Sequence, residues 1–83
     1  MVNQVVADED LVSAVIEVAQ KIASNAPVAV RQAKSAIHRG LQMSLTDGLA
    51  FEIEAYNQTV PTTDRLEGVG AFNEKRKPVF TGR

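Results

Sequence analysis

Four short runs of apolar residues at helical spacing follow one another along this 83-residue chain, separated by prolines and small polar residues. Apolar residues that recur every three to four positions line one side of an α-helix. Pro27 can open a helix because the first turn needs no amide donor there, whereas Pro61 and Pro78 end the helices before them. We therefore expect a mainly α chain of four amphipathic helices, each with one face to bury.

The first two predicted helices meet at Ser24 and Asn25. Asp8–Asp10 gives the first helix an acidic start, which suits the positive end of the helix dipole. Pro27 begins the second helix, and Gly40 is its expected C-cap. The residues expected on the buried faces are Leu11, Val15, Val18 or Ala19 and Ile22 in the first helix, and Val30, Ala33, Ile37 and Leu41 in the second.

The last two predicted helices begin at hydroxyl residues. Ser44, with Asp47 three positions later, resembles a weak capping box, and Thr62 or Thr63 caps the fourth helix. The expected apolar faces contain Leu45, Leu49, Ile53, Tyr56 and Val60 in the third helix, and Leu66, Val69 and Phe72 in the fourth.

Two features do not fit a self-contained helical bundle. Residues 2–6 read as a short strand, yet no second strand follows with which it could pair. Gly68 and Gly70 both lie inside the fourth helix, where each costs about 1 kcal/mol relative to alanine. Either another backbone or a ligand approaches closely there, or the helix is simply inefficient.

Composition excludes several classes of function. The chain has no cysteine, which removes disulfides, thiolate zinc sites and cysteine nucleophiles. No apolar run is long enough to span a membrane. From residue 72 onward the charge is +3, so the remainder carries −4 of the total of −1. Such a short basic end, without interleaved aromatics, suits a small anion or a partner subunit better than a nucleic acid.

No side chain stands out as a catalytic or metal-binding group. Glu52 and Glu54 are two positions apart and point in different directions on a helix, and Glu67 is a usual first-turn charge partner. His38 is the only histidine and has no second ligand at helical spacing, so it reads as a solvated residue near a helix end. Tyr56 reads as a core aromatic. We therefore predict no catalytic residue and no metal ligand.

The end of the chain carries the most distinctive motif. Its residues Glu67, Gly68, Ala71, Phe72, Glu74, Lys75, Arg76, Lys77, Pro78, Phe80 and Gly82 match the pattern Glu-Gly-x-x-Ala-Phe-x-Glu-Lys-Arg-Lys-Pro-x-Phe-x-Gly. This pattern resembles the C-terminus of the crotonase superfamily, the enoyl-CoA hydratase/isomerase family. Upstream segments resemble that family too, and the run from 56 to 68 is most similar to short-chain and methylglutaconyl-CoA type hydratases.

The resemblance implies that residues 1–83 are the C-terminal helical part of a crotonase-fold enzyme about three times longer. Such an enzyme is a lyase that interconverts a 2-enoyl-CoA and a 3-hydroxyacyl-CoA in fatty-acid or branched-chain amino-acid breakdown. The catalytic glutamates and the oxyanion amides would lie in the core domain, which is absent from this sequence. The family implies a trimer or dimer of trimers, a cytoplasmic location and no cofactor beyond the coenzyme A thioester substrate. Acyl preference, and hydratase against isomerase, stay open.

In the family, an aromatic residue and the first lysine of this motif lie beside the coenzyme A nucleotide, which implicates Phe72 and Lys75. Three positions apart, they would face the same side of a helix and offer an apolar surface with a cation. On periodicity alone, Phe72 in the core and a solvated basic helix end is the better interpretation. The alternative function for the chain is a free-standing, non-catalytic helical module that self-associates.

Overall fold

The computed structural model describes residues 2–83 and consists of four α-helices, preceded by a single 3-10 turn at Asp8–Asp10. The order of the helices is that predicted from the sequence, and the mainly α class is confirmed. The helices are α1 (Leu11–Ala23), α2 (Pro27–Gly40), α3 (Leu45–Asn57) and α4 (Thr63–Asn73).

The predicted helix starts are confirmed at three places. Pro27 is the first residue of α2, the Ser44 hydroxyl accepts from the Asp47 amide at 3.1 Å, and the Thr62 hydroxyl accepts from the Arg65 amide at 3.2 Å. The prediction for Gly40 is wrong by one position: Gly40 is the last helical residue, and Leu41 is the cap with a right-handed φ of −66°. A right-handed cap needs no glycine.

The expected N-terminal strand is not formed. Residues 2–6 have no regular secondary structure, and no strand occurs within residues 2–83. The physical reason is the missing partner, because a single extended segment leaves its ladder of amides and carbonyls unpaired.

The helices form a flat plate rather than a bundle, with dimensions of 43 × 40 × 18 Å. Helices α2 and α3 pack side by side as a hairpin, and a methyl group built on Gly48 would lie 3.5 Å from the Gly40 carbonyl oxygen. Helix α1 touches α2 only slightly. Helix α4 packs against no other helix in the described part of the chain.

Almost nothing is buried, so the prediction that each helix buries its apolar face, which we call its stripe, is wrong for this chain by itself. Ala55 and Ala71 are the only buried apolar residues within 2–83. Every stripe keeps a large exposed fraction because no element of the chain lies over it. The exposed stripe residues include Leu11, Val15, Val18, Ile22, Ile37, Leu41, Leu45, Leu49, Ile53, Tyr56, Leu66, Val69 and Phe72.

Candidate functional site

Within residues 2–83, all side-chain hydrogen bonds between residues nine or more positions apart lie along α4 and the segment after it, where the chain turns back on itself. We call residues 77–83 the C-terminal hook. The hook runs back along α4 and returns to its first turn, where the Arg83 carbonyl accepts from the Asp64 amide and from the Thr63 hydroxyl, both at 2.9 Å. Residues 75–77, which we call the basic turn, thereby lie between α4 and a tail that is bound to α4.

Helix α4 ends in a left-handed turn. Lys75 has a φ of +54°, and its amide donates to the Phe72 carbonyl at 3.2 Å. The next amide, that of Arg76, reaches back to the Ala71 carbonyl at 3.0 Å. These two bonds are the pair found in Schellman helix endings, in which glycine normally occupies the left-handed position.

Arg76 joins this turn to the body of α4. Its guanidinium donates to both carboxylate oxygens of Glu67, at 2.6 and 3.0 Å, and its Nε donates to Glu74. Two parallel bonds from one guanidinium to one carboxylate form the strongest geometry available to an ion pair. The pairing raises the pKa of Arg76.

Glu67 fixes the start of the hook as well. The same oxygen that binds Arg76 accepts from the Val79 amide at 2.9 Å. The hydrogen bond from Arg76, followed by that from Val79, lowers the pKa of Glu67 to about 2. The sequence-based interpretation of Glu67 as a simple first-turn charge partner is therefore wrong, because this carboxylate bridges the helix and the tail.

Asp64 fixes the far end of the hook. It is only 2% exposed, and its two oxygens accept from the Thr81 and Gly82 amides, each at 2.7 Å, and from the Thr81 hydroxyl at 3.2 Å. The Thr81 amide is the main cause that lowers the pKa of Asp64. Gly82 has a φ of +80°, a conformation that favours glycine.

The Phe80 ring of the hook lies next to one of the two glycines in α4. A methyl group on Gly68 would lie 3.7 Å from the Phe80 ring, whereas one on Gly70 would meet only the flexible end of Arg76 at 3.9 Å. Both distances are ordinary van der Waals contacts, so the close approach expected at these glycines is not found within residues 2–83.

The two residues predicted to bind coenzyme A lie at this turn. Phe72 is 83% exposed at the end of α4, and Lys75 is exposed one turn later. The helix ends at Asn73, so the expectation that both residues share a helical face is wrong. The Schellman turn links the two residues instead, through a hydrogen bond between their backbones.

Two apolar hollows lie away from the basic turn. The larger, about 720 Å³, follows the open face of the α2–α3 hairpin and is lined by Ala33, Ile37, Leu41, Leu45, Leu49 and Tyr56 among others. The smaller, about 390 Å³, follows α1 and is lined by Leu11, Val15 and Ile22 together with Val6. Both are open faces, and their linings include most of the apolar residues predicted from the sequence for α1, α2 and α3, but not Val30, Ile53 or Val60.

The other side chains considered from the sequence as catalytic or metal-binding candidates do not come together in one site. Within residues 2–83 no three histidine or acidic side chains are grouped as a metal site would require. Over the same range, no helix is both long and apolar enough to cross a membrane. Asp64 and Arg76 are the residues whose roles sequence analysis missed, since each has side-chain partners that lie 9 to 18 positions away.

Comparison with known proteins gives one consistent result. The sequence profile of the family described as enoyl-CoA hydratase/isomerase matches residues 1–83. YngF of Bacillus subtilis, an enoyl-CoA hydratase/isomerase by name, is 51% identical over 82 residues, which are 99% of this chain and 32% of that protein. The short-chain-enoyl-CoA hydratase of Clostridium acetobutylicum is 47% identical over 93% of this chain and 30% of its own length.

A solved structure agrees with these relatives. The enoyl-CoA hydratase from Bacillus anthracis superimposes with a TM-score of 0.90 and 50% identity, over 94% of this chain and 30% of that chain. The chain thus spans about a third of the length of the proteins that it matches.

Proposed function

Because this chain belongs to the enoyl-CoA hydratase/isomerase family and has its fold, we propose that it is the C-terminal helical part of an enoyl-CoA hydratase. In this role it contributes coenzyme A binding and subunit assembly, and the reacting groups come from the core domain. The short-chain and methylglutaconyl-CoA hydratases among its relatives support a hydratase of a small acyl thioester. The expected cytoplasmic location stays a prediction.

The separation between coenzyme A binding and the reacting groups follows from what the reaction requires. Water adds its hydroxyl to one alkene carbon and a proton to the other, while negative charge develops on the thioester oxygen. The reaction therefore needs carboxylates that move the proton and donors that hold the oxygen. Glu67, bound to Arg76 with a pKa of about 2, is fully ionised near neutral pH and is already occupied. A carboxylate in that state is a poor proton carrier.

The observation that supports the proposal most is that Phe72 and Lys75 are both exposed at the end of α4. Coenzyme A presents an adenine ring and several phosphates, and the end of α4 offers an exposed aromatic ring with a cation on the adjoining turn. A flat apolar surface and a charge are the two contacts that such a nucleotide needs. The hook keeps both on a backbone that is tied at each end.

The open helical faces support the assembly part of the proposal. The stripes of α1, α2 and α3 are exposed and lie along two apolar hollows. Apolar surface on this scale is typical of a protein interface. The core domain and neighbouring subunits, in the expected trimer or dimer of trimers, would cover these faces.

The test is Lys75→Ala in the full-length enzyme. Lys75 would meet a phosphate rather than the thioester, so its loss should raise KM and leave kcat nearly unchanged. We expect a loss of about 1 kcal/mol, or roughly fivefold in affinity, because the lysine is exposed and an exposed ion pair contributes little. The loss should shrink as salt rises.

Lys77→Ala is the matched control, since it removes the same charge two residues away. Equal losses from both variants would indicate a diffuse basic field and no specific contact. No loss from either would overturn the proposal for Lys75.

A further inference from the structure

We propose that Glu67 and Arg76 are positioning residues that hold Lys75 in place for its contact with a phosphate of coenzyme A. The inference rests on the proposed function, because Lys75 is the cation to be positioned. It assigns a task to the ion pair that neither the family resemblance nor the sequence pattern suggests.

The first observation is that a lysine occupies a position suited to glycine. Lys75 is the only residue other than glycine with a positive φ within residues 2–83. Glycine adopts this conformation without steric cost, whereas a residue with a Cβ is strained there. Gly82, the other left-handed residue of the described chain, is a glycine. The lysine at position 75 therefore serves through its side chain, since glycine would serve the backbone better.

The second observation is the set of ion pairs around that lysine. The residues on either side, Glu74 and Arg76, are bound to each other, and Arg76 is also bound bidentately to Glu67 on α4. The side chains on either side of Lys75 are thus paired with each other, and Arg76 ties the strained turn to α4. Within residues 2–83, Lys75 itself enters no ion pair.

The third observation concerns the charges that remain for a ligand. The run Lys75, Arg76, Lys77 has three cations, but the guanidinium of Arg76 is already used by two carboxylates. Within residues 2–83 neither Lys75 nor Lys77 enters an ion pair, and Lys75 is the one whose amide is bonded to the Phe72 carbonyl. Glu67 and Arg76 therefore hold the left-handed turn from which Lys75 extends.

A purely structural role for the ion pair makes a different prediction. Glu67 also binds the Val79 amide, and in a purely structural role it would only fasten the hook there. Asp64 holds the other end of the hook independently. A fastening role changes thermal stability but does not couple to Lys75. A positioning role makes the effects of Glu67 and Lys75 on coenzyme A affinity non-additive.

The experiment is a double-mutant cycle in the full-length enzyme, with coenzyme A affinity measured by calorimetry and KM and kcat measured in parallel. Glu67→Gln should weaken coenzyme A binding by about twofold or more with kcat unchanged, and should add nothing to Lys75→Ala. Arg76→Lys keeps the charge but loses the guanidinium fork, so it should not preserve affinity. Glu17→Gln, which breaks the remote and exposed Glu17–Lys21 pair, is the control for charge and should have no effect.

Lys75→Gly separates the two proposals. Glycine relieves the left-handed strain, so this variant should melt at a higher temperature and yet bind coenzyme A as weakly as Lys75→Ala. Unchanged affinity in Lys75→Gly would overturn the proposed function of Lys75. A loss in Lys75→Gly with no loss in Glu67→Gln, or with additive losses, would leave that function standing and overturn the positioning role.

Discussion

At the scale of single residues, two carboxylates near the start of α4 bind the C-terminal hook. The helical period alone would make them charge partners of the helix start. Glu67 was expected in the first turn of α4, but that turn contains Asp64, and Glu67 is the fifth residue of the helix. Their partners, Arg76, Val79 and Thr81, are 9 to 17 positions away. A helical period relates neighbours three or four positions apart, so it carries no information about a segment that folds back over the helix. The motif located the important residues without revealing their geometry.

The lowered pKa values of these carboxylates predict how the hook depends on pH. A carboxyl group with a lowered pKa in the folded state contributes stability above its unfolded pKa and loses it as pH falls. For Glu67, this loss should occur between the ordinary value of 4.5 and about 2. Asp64 should follow the same direction, because its pKa is also lowered.

The measurement is an NMR titration of the Val79, Thr81 and Gly82 amide protons, which bind these two carboxylates. Their shifts should stay constant from pH 7 to about 4.5 and then move to unbound values as the carboxylates are protonated. Midpoints at the ordinary carboxyl values would contradict the bonded geometry. The amide of Thr59, which binds a backbone carbonyl, is the internal control.

At the scale of elements, starts were predicted better than ends. Ser44 and Thr62 cap their helices as expected because a hydroxyl that accepts from an amide three positions later is a local interaction. The ends depend on more. Pro61 and Pro78 bar continuation, but α3 stops four residues before Pro61. Helix α4 stops five residues before Pro78, ahead of the left-handed turn at Lys75. A proline sets the furthest limit of a helix and not its last residue.

The α2–α3 hairpin allows a prediction at this scale. Gly48 lies in α3, where glycine costs about 1 kcal/mol relative to alanine. A methyl group there would contact Gly40 at 3.5 Å or more, which is ordinary van der Waals distance. Gly48→Ala should therefore raise the helicity of the chain, as followed by circular dichroism at 222 nm. Gly48→Leu should lower it, because the larger side chain meets the Gly40 backbone. Equal loss in both variants would mean that the two helices are closer than described.

At the scale of the whole molecule, the sequence period identifies the apolar face of each helix but not the part of the protein that covers it. The radius of gyration is 15.9 Å, whereas a compact domain of this length has about 12 Å. The accessible surface is 6999 Å², against about 4,900 Å² for a compact monomer of this mass. Periodicity correctly located Leu49 and Ile37 on apolar faces, yet both are exposed. Within residues 2–83 no element lies over these faces, and a helical period carries no information about what would.

The last prediction concerns the chain in isolation. Its exposed stripes and the hollow of about 720 Å³ along α2 and α3 leave apolar surface that 83 residues cannot cover. Helices of 11 to 14 residues are also marginal without packing. We therefore expect sedimentation equilibrium to show dimers, trimers or larger species, or else a loosely folded monomer with a broad melt.

Two matched variants identify the surface responsible for association. Leu49→Glu places a charge in the α2–α3 hollow, where burial of an unpaired carboxylate is costly, and should shift the chain towards monomer or unfold it. Gln58→Glu adds the same charge outside that hollow and should leave association unchanged. A strictly monomeric chain with a sharp cooperative melt and a radius of gyration near 12 Å would contradict the open plate, because such a chain would have to cover its own stripes.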